Sequence, residues 1–224
     1  MTPADALAQL EVLSDPARAQ DNAAYHKAPR RHLGLRVPQI EELTDAWRTA
    51  CSLDDRISLA AGLWATDIHD ARIAAAKLLT QARIRPDQPA WDLIASWVPD
   101  FDSWAIADHA CIAGMKRLVA DPARLDQVEG WTTSPHMWSR RAALVITLPF
   151  TKINTPKPWE LAIRDRILGW AATYVADTDW FIQKAVAWWL RDLSRHDPRR
   201  AQDFLAGPGL GLKPWALKEA GRHL

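Results

Sequence analysis

No stretch of the 224-residue chain alternates apolar and polar residues with period two for long enough to make a convincing strand, which limits the fold to helices packed on helices. Ala and Leu are abundant and glycine occurs only 9 times, so helix propensity is high along most of the chain. Asp and Pro supply the punctuation. Asp121-Pro122 and Asp197-Pro198 read as an N-cap followed by a proline in the first turn, and Pro86, Pro89, Pro99, Pro149, Pro156 and Pro158 fall between periodic segments. The spacing predicts helices over 2–14, 17–28, 38–50, 54–64, 68–83, 88–97, 102–119, 122–129, 134–148, 157–174, 178–195, 198–206 and 213–222. Real loops are expected only at 148–157 and 206–214. Neither has the length or composition of a linker, so residues 1–224 read as a single domain.

A faint repeat runs through these helices. Arg72-Ile-Ala-Ala, Asp108-His-Ala-Cys, Arg140-Arg-Ala-Ala and Gln183-Lys-Ala-Val share a polar-x-Ala-small pattern. Small residues there let a second helix approach closely, and the interval suits one helical hairpin per repeat. This is the logic of HEAT and armadillo solenoids, whose concave surface can cradle a long polymer.

Charge narrows the partner. The total is only +1, but residues 1–112 carry 11 basic and 16 acidic side chains whereas residues 113–224 carry 17 and 11. A basic carboxyl-terminal half is the electrostatic footprint of a protein with a polyanionic partner; charges scattered over solvated helix faces are the alternative. Cys51 and Cys111 are the only cysteines, which excludes a disulfide framework and any multi-cysteine zinc or iron–sulfur site. No apolar run reaches the ~20 residues of a membrane span. The acidic amino terminus does not read as a signal peptide, so a soluble, reducing, cytoplasmic setting (bacterial cytosol or nucleoid) is expected. The 13 Trp against 4 Phe and 2 Tyr form an inversion that packing alone does not explain.

Four segments could carry chemistry. In DSWAIADHA, Trp104 and Asp108 lie one helical turn apart on one face, an arrangement suited to a flat ligand that is, or becomes, cationic. The alternative for Asp108 is a surface charge or a partner for Arg141. In SPHMWSRRAALV, Trp138, Arg140 and Arg141 fit phosphate contact, or serve as repeat arginines bridging neighbouring hairpins. In DTDWFIQKAVAWWLRDLSRHDP, Trp180, Lys184 and Trp188 form one stripe joined by Phe181. That stripe is stacking surface plus phosphate contact, or core, with Trp189 pointing inward. In YHKAPRRHLGLRVPQI, Tyr25, Lys27, Arg30, Arg31 and Arg36 precede or flank a turn at Gly34 and read as a phosphate clamp or a solvated basic turn. No GxGxxG, Walker loop, GxSxG or HExxH is present, the His residues are dispersed, and His109 with Cys111 beside Asp108 do not amount to a metal site.

Taken together, these segments resemble the AlkD-type DNA alkylation repair glycosylases, which are built from HEAT-like helical repeats. The match runs through most of the chain, in YHK…HLGLRVP, LWATDIHDARIAAAKLL, DSWAIAD, WTTSPHMWSRRAALV and DWFIQKAVAWWLRDLSRHDP. Order and spacing carry it rather than any single motif. The resemblance implies an all-α, right-handed solenoid of HEAT-like antiparallel helical hairpins with a concave DNA-binding face. It implies catalytic roles for Asp108, Trp104, Trp188 and Arg141. DNA contacts would come from Tyr25, Lys27, Arg30, Arg31, Arg36, Trp138, Arg140, Trp180, Phe181 and Lys184. Trp180 departs from the Phe common there in the family. The expected activity is hydrolysis of the N-glycosidic bond of N3- or N7-alkylated purines in duplex DNA by a monomer, without cofactor, metal or membrane. A non-catalytic HEAT-repeat module that binds DNA structures or a protein is the alternative. A scaffold whose tryptophans are simply core is the third.

Overall fold

A computed structural model describes residues 1–224. It is built of helices and turns, with one isolated parallel bridge between Arg31 and Ile68 as the only strand-like pairing. Its thirteen α-helices overlap the thirteen segments expected from the spacing. No helix is long and apolar enough to cross a membrane. Contacts gather into two compact units, Met1–Ala120 and Asp121–Leu224.

The first unit holds α1 (Pro3–Val12), α2 (Pro16–His26), α3 (Val37–Ala50), α4 (Leu53–Ala65), α5 (His69–Leu78), α6 (Gln88–Ser96) and α7 (Trp104–Ala120). Helix α5 is its centre, packed against α3, α4 and α7 and buried at every position but Lys77. Ala71, Ala74, Ala75 and Ala76 make that possible, because they let three helices close in without side-chain entropy to lose. The second unit holds α8 (Leu125–Trp131), α9 (Met137–Val145), α10 (Pro158–Tyr174), α11 (Trp180–Ser194), α12 (Pro198–Ala206) and α13 (Pro214–Ala220). Here α11 is central, packed against α9, α12 and α13. The four repeat segments therefore fall on α5 and α7 of one unit and α9 and α11 of the other.

The repeated polar residue has a task. Arg72 donates to the carbonyls of Trp64 and Asp100 (both 3.3 Å), and Arg140 to those of Ser134 (2.9 Å) and Pro135 (3.1 Å). Gln183 donates to Val175 and Asp177 (both 2.9 Å). Each ties down a neighbouring turn whose backbone acceptors would otherwise go unmet. Two further buried arginines do the same for longer connections. Arg117 serves the carbonyls of Gln81, Ala82 and Ile84, and Arg164 those of Phe150, Thr151 and Ile153.

The tryptophan excess is partly structural. Trp47, Trp64, Trp170 and Trp189 are all buried, and each indole N–H finds an acceptor: Gln9 (2.8 Å), Asp100 (3.3 Å), Glu129 (2.8 Å) and Thr147 (3.1 Å). A large apolar body with one polar tip cross-ties helices in a way Phe cannot. The first unit also stacks Trp64 on Trp97 with centroids 4.3 Å apart.

The turns differ from expectation. Asp121 caps the Ala123 N–H only two residues on, so Pro122–Arg124 is a 3-10 turn and α8 begins at Leu125 rather than at 122. The connection expected at 148–157 opens with a 3-10 turn, Leu148–Lys152, and 206–214 contains another, Pro208–Gly211. The helix expected over 17–28 stops at His26, where Lys27 turns left-handed (φ 52°). The chain then crosses residues 27–36 to α3, stitched down by Asp70, whose carboxylate accepts the N–H groups of Leu33 (2.7 Å) and Leu35 (2.9 Å). Gly34 is obligatory in that crossing: its φ is +79°, and a Cβ there would sit 2.4 Å from the Asp15 carbonyl oxygen.

Candidate active site and nucleic-acid interface

In the first unit, α7 presents Trp104 and Asp108 one turn apart, both half-buried. Asp108 occupies the repeat position filled elsewhere by Arg72, Arg140 and Gln183. Those three donate hydrogen bonds to backbone carbonyls, and a carboxylate is an acceptor only. The chain thus departs from its own structural pattern beside an aromatic ring. Tyr25, 70% exposed on the last turn of α2, meets Trp104 edge-on with centroids 6.2 Å apart. His26 lies 5.3 Å from the same indole.

The basic segment after Tyr25 does not stay together as a clamp. Lys27, Arg31 and Arg36 are exposed, with Arg31 paired to Glu11 at 2.8 Å. Arg30 turns inward: its side chain is 5% exposed and pairs with Asp102 and with Asp67 (3.3 Å). A guanidinium so held is neutralised by carboxylates and closed to solvent, so the surface phosphate contact expected of Arg30 is corrected to an internal ion pair.

In the second unit, aromatic rings gather at the start of α11. Trp138 of α9 lies 4.6 Å from Phe181, and Trp180 packs edge-on against Phe181 (5.0 Å) and stacks on Trp215 of α13 (5.6 Å). Trp180 is 53% exposed and offers an open indole face. Lys184 is half-buried with Glu219 3.8 Å away, and Trp188 is half-buried two turns beyond Trp180. Despite its own burial, Glu219 is held below the usual carboxylate range by hydrogen bonding from Arg191 and the nearby Lys184 charge. Trp189 is fully buried, as expected.

The two arginines of SRRAALV are structural in large part. Arg140 pairs with Asp177 (3.0 Å), and its carbonyl accepts the buried Tyr174 hydroxyl (3.0 Å), whose pKa burial pushes up. Arg141 is buried and donates to the Phe181 carbonyl (3.0 Å), with its guanidinium 5.8 Å from the Phe181 ring centroid. A side chain so enclosed orients the head of α11.

Three histidines that sequence reasoning did not bring together lie behind Trp104, with His26 in contact with it. His26, His32 and His69 cluster: His32 stacks on His69 with centroids 4.3 Å apart, and His26 tilts against His69 at 4.6 Å. Burial lowers the pKa of all three, that of His69 to about 2. His69 lies 37 residues beyond His32, so the sequence did not show that the three meet. Trp215, in a short terminal helix, was likewise invisible. No group of three or more His, Cys, Asp or Glu could hold a metal ion.

A family model described as DNA alkylation repair enzyme matches residues 6–224. A solved structure described as a predicted DNA alkylation repair enzyme from Enterococcus faecalis is similar at 20% identity, with 94% of this chain and 96% of that one covered and a TM-score of 0.79. AlkD2 from Streptococcus mutans is similar at 16% identity, with 85% and 91% covered and a TM-score of 0.62. No curated protein matches the chain.

Proposed function

Because the chain belongs to the DNA alkylation repair enzyme family, we propose that it is a DNA glycosylase, one that hydrolyses the N-glycosidic bond of N3- or N7-alkylated purines in duplex DNA and leaves an abasic site. The observation that carries this reading is Asp108: a carboxylate one turn from an indole, in a repeat position otherwise given to hydrogen-bond donors.

The chemistry suits those groups. Alkylation at N3 or N7 puts positive charge on the purine, so the base is an activated leaving group and needs no strong general acid. As the bond breaks, positive charge develops on the deoxyribose, as in glycoside hydrolysis. Asp108 stabilises that cation and orients the water that attacks C1′, taking up the proton the water loses. Trp104 offers an electron-rich ring to the same charge. The resemblance of FIQKAVAWW assigns a similar role to Trp188, and Arg141 fixes the backbone at Phe181. Phosphates are met by Lys27, Arg31, Arg36 and Lys184, with Tyr25, Trp138, Trp180 and Phe181 as aromatic contacts.

The test is release of free base from methylated duplex DNA under single-turnover conditions, wild type against Asp108→Asn. The expected result is release by the wild type and a loss of about 100-fold or more in the variant. Equal release by both would defeat the mechanism. If neither released base, yet both bound duplex with a steep salt dependence, the chain would be a DNA-binding module.

A further inference from the structure

We infer that His26 is a positioning residue for Trp104, setting the indole through a cluster of three histidine rings anchored in the core of the first unit. The inference rests on the proposed role of Trp104 and names a residue that sets it.

Geometry carries the argument. His69 begins the buried helix α5 and is 2% exposed. His32, from the 27–36 crossing, is 7% exposed and stacks on it. That crossing is fixed independently, since Asp70, next to His69, holds the Leu33 and Leu35 N–H groups. His26 completes the cluster, 4.6 Å from His69 and tilted 31° to it, and 6.0 Å from His32 and parallel to that ring within 7°. Trp104 leans on His26 at 5.3 Å, and Tyr25 meets both rings edge-on. The indole is therefore placed by α5, through two imidazole rings, and not only by α7. No group of three or more His, Cys, Asp or Glu in the chain is arranged to hold a metal ion, so the trio is packing and not a ligand set.

Imidazole in this role has a chemical consequence that phenyl would not. Both nitrogens of His32, and Nδ1 of His26 and His69, have no hydrogen-bond partner in the protein. The charged groups facing the trio are Asp70 of α5, Arg30 of the crossing, Asp102 just before α7 and His109 of α7. Burial dominates and lowers the pKa of all three rings, so each resists taking up a proton. A neutral His26 is an uncharged plate. A protonated one would place a cation against the indole, at a distance where cation–π attraction operates, and would compete there with the cationic base or sugar.

The experiment uses the full chain with 15N-labelled indoles, the Trp104 resonance being identified by its loss in Trp104→Phe. His26→Ala should move that resonance and slow single-turnover base release at least tenfold, with duplex Kd unchanged within twofold. His26→Phe should restore release to within threefold of wild type. It should also abolish any slowing of the wild type that sets in as the pH is lowered below 6.5 and His26 takes up a proton. An unmoved Trp104 resonance in His26→Ala, a His26→Phe as slow as His26→Ala, or a wild-type pH response retained in His26→Phe would each overturn the inference. If His26→Ala does not fold, His26→Phe and its pH response decide. If the wild type releases no base, the glycosylase reading fails by itself, while the indole resonances of wild type, His26→Ala and His26→Phe still judge the positioning.

Discussion

Burial, together with His32, His26, Arg30 and His109 nearby, brings the His69 imidazole down from 6.5 to about 2. The unfolded chain takes up this proton near pH 6.5 and the folded one does not. Stability from this group is therefore full above pH 6.5 and is lost as pH falls from there towards 2. Between pH 7 and pH 5 the loss is about 2 kcal/mol. Urea unfolding at those two values should show a larger drop for the wild type than for His69→Phe; equal drops would place the acid sensitivity elsewhere. Trp180 makes a second prediction at this scale. Its open face predicts that Trp180→Ala weakens duplex binding by about 1–2 kcal/mol, read by anisotropy of labelled DNA, with thermal stability nearly unchanged. The pairing of Trp104 with Asp108 was legible in the sequence because helical spacing fixes it. The His26–Trp104 contact was not, since it depends on a crossing whose path is set by Asp70, a residue 35 and 37 positions from the two N–H groups it holds.

Helices were the most legible elements, and their ends were least so. Asp15-Pro16 and Asp197-Pro198 cap α2 and α12 from within four residues, and local chemistry of that kind is written in order along the chain. The connections are settled by distant side chains. Arg164 of α10 is fully buried, donates to three carbonyls between residues 150 and 153, and pairs with Asp197 at 3.2 Å. Arg164→Met would leave those acceptors unmet inside the second unit. We expect a loss of about 3 kcal/mol, seen as a lower midpoint in denaturant, whereas Arg199→Met on the surface of α12 should stay within about 0.5 kcal/mol. The repeat motif was readable as a pattern, but its purpose was not: a polar residue before Ala-small gives no hint that it faces a backbone turn.

For the whole chain, family membership rests on a match over residues 6–224, and the fold is shared with relatives at 16–20% identity. Identity that low preserves which positions are small, apolar or capping more than which side chains they hold. That is why an Ala-rich helical pattern and a few ordered motifs sufficed to identify the family while Arg30 was misplaced. The charge is still uneven when counted by unit, with 13 basic and 16 acidic side chains in residues 1–120 and 15 and 11 in residues 121–224. The logarithm of duplex affinity should fall linearly with log salt, and Lys184→Ala should reduce the slope by about one unit, in titrations between about 50 and 200 mM salt. An unchanged slope would remove Lys184 from the phosphate contacts. The tether made by Arg117 also bears on digestion. The connection from α5 to α6 carries Arg83 and Arg85, both exposed and nominally open to trypsin. Yet the carbonyls of Gln81, Ala82 and Ile84 are tied to Arg117, Ile84 is buried, and Pro86 follows Arg85. A protease must draw several extended residues into its cleft, and this segment has no slack to give. Its two basic sites should survive intact while fully exposed bonds elsewhere are cut.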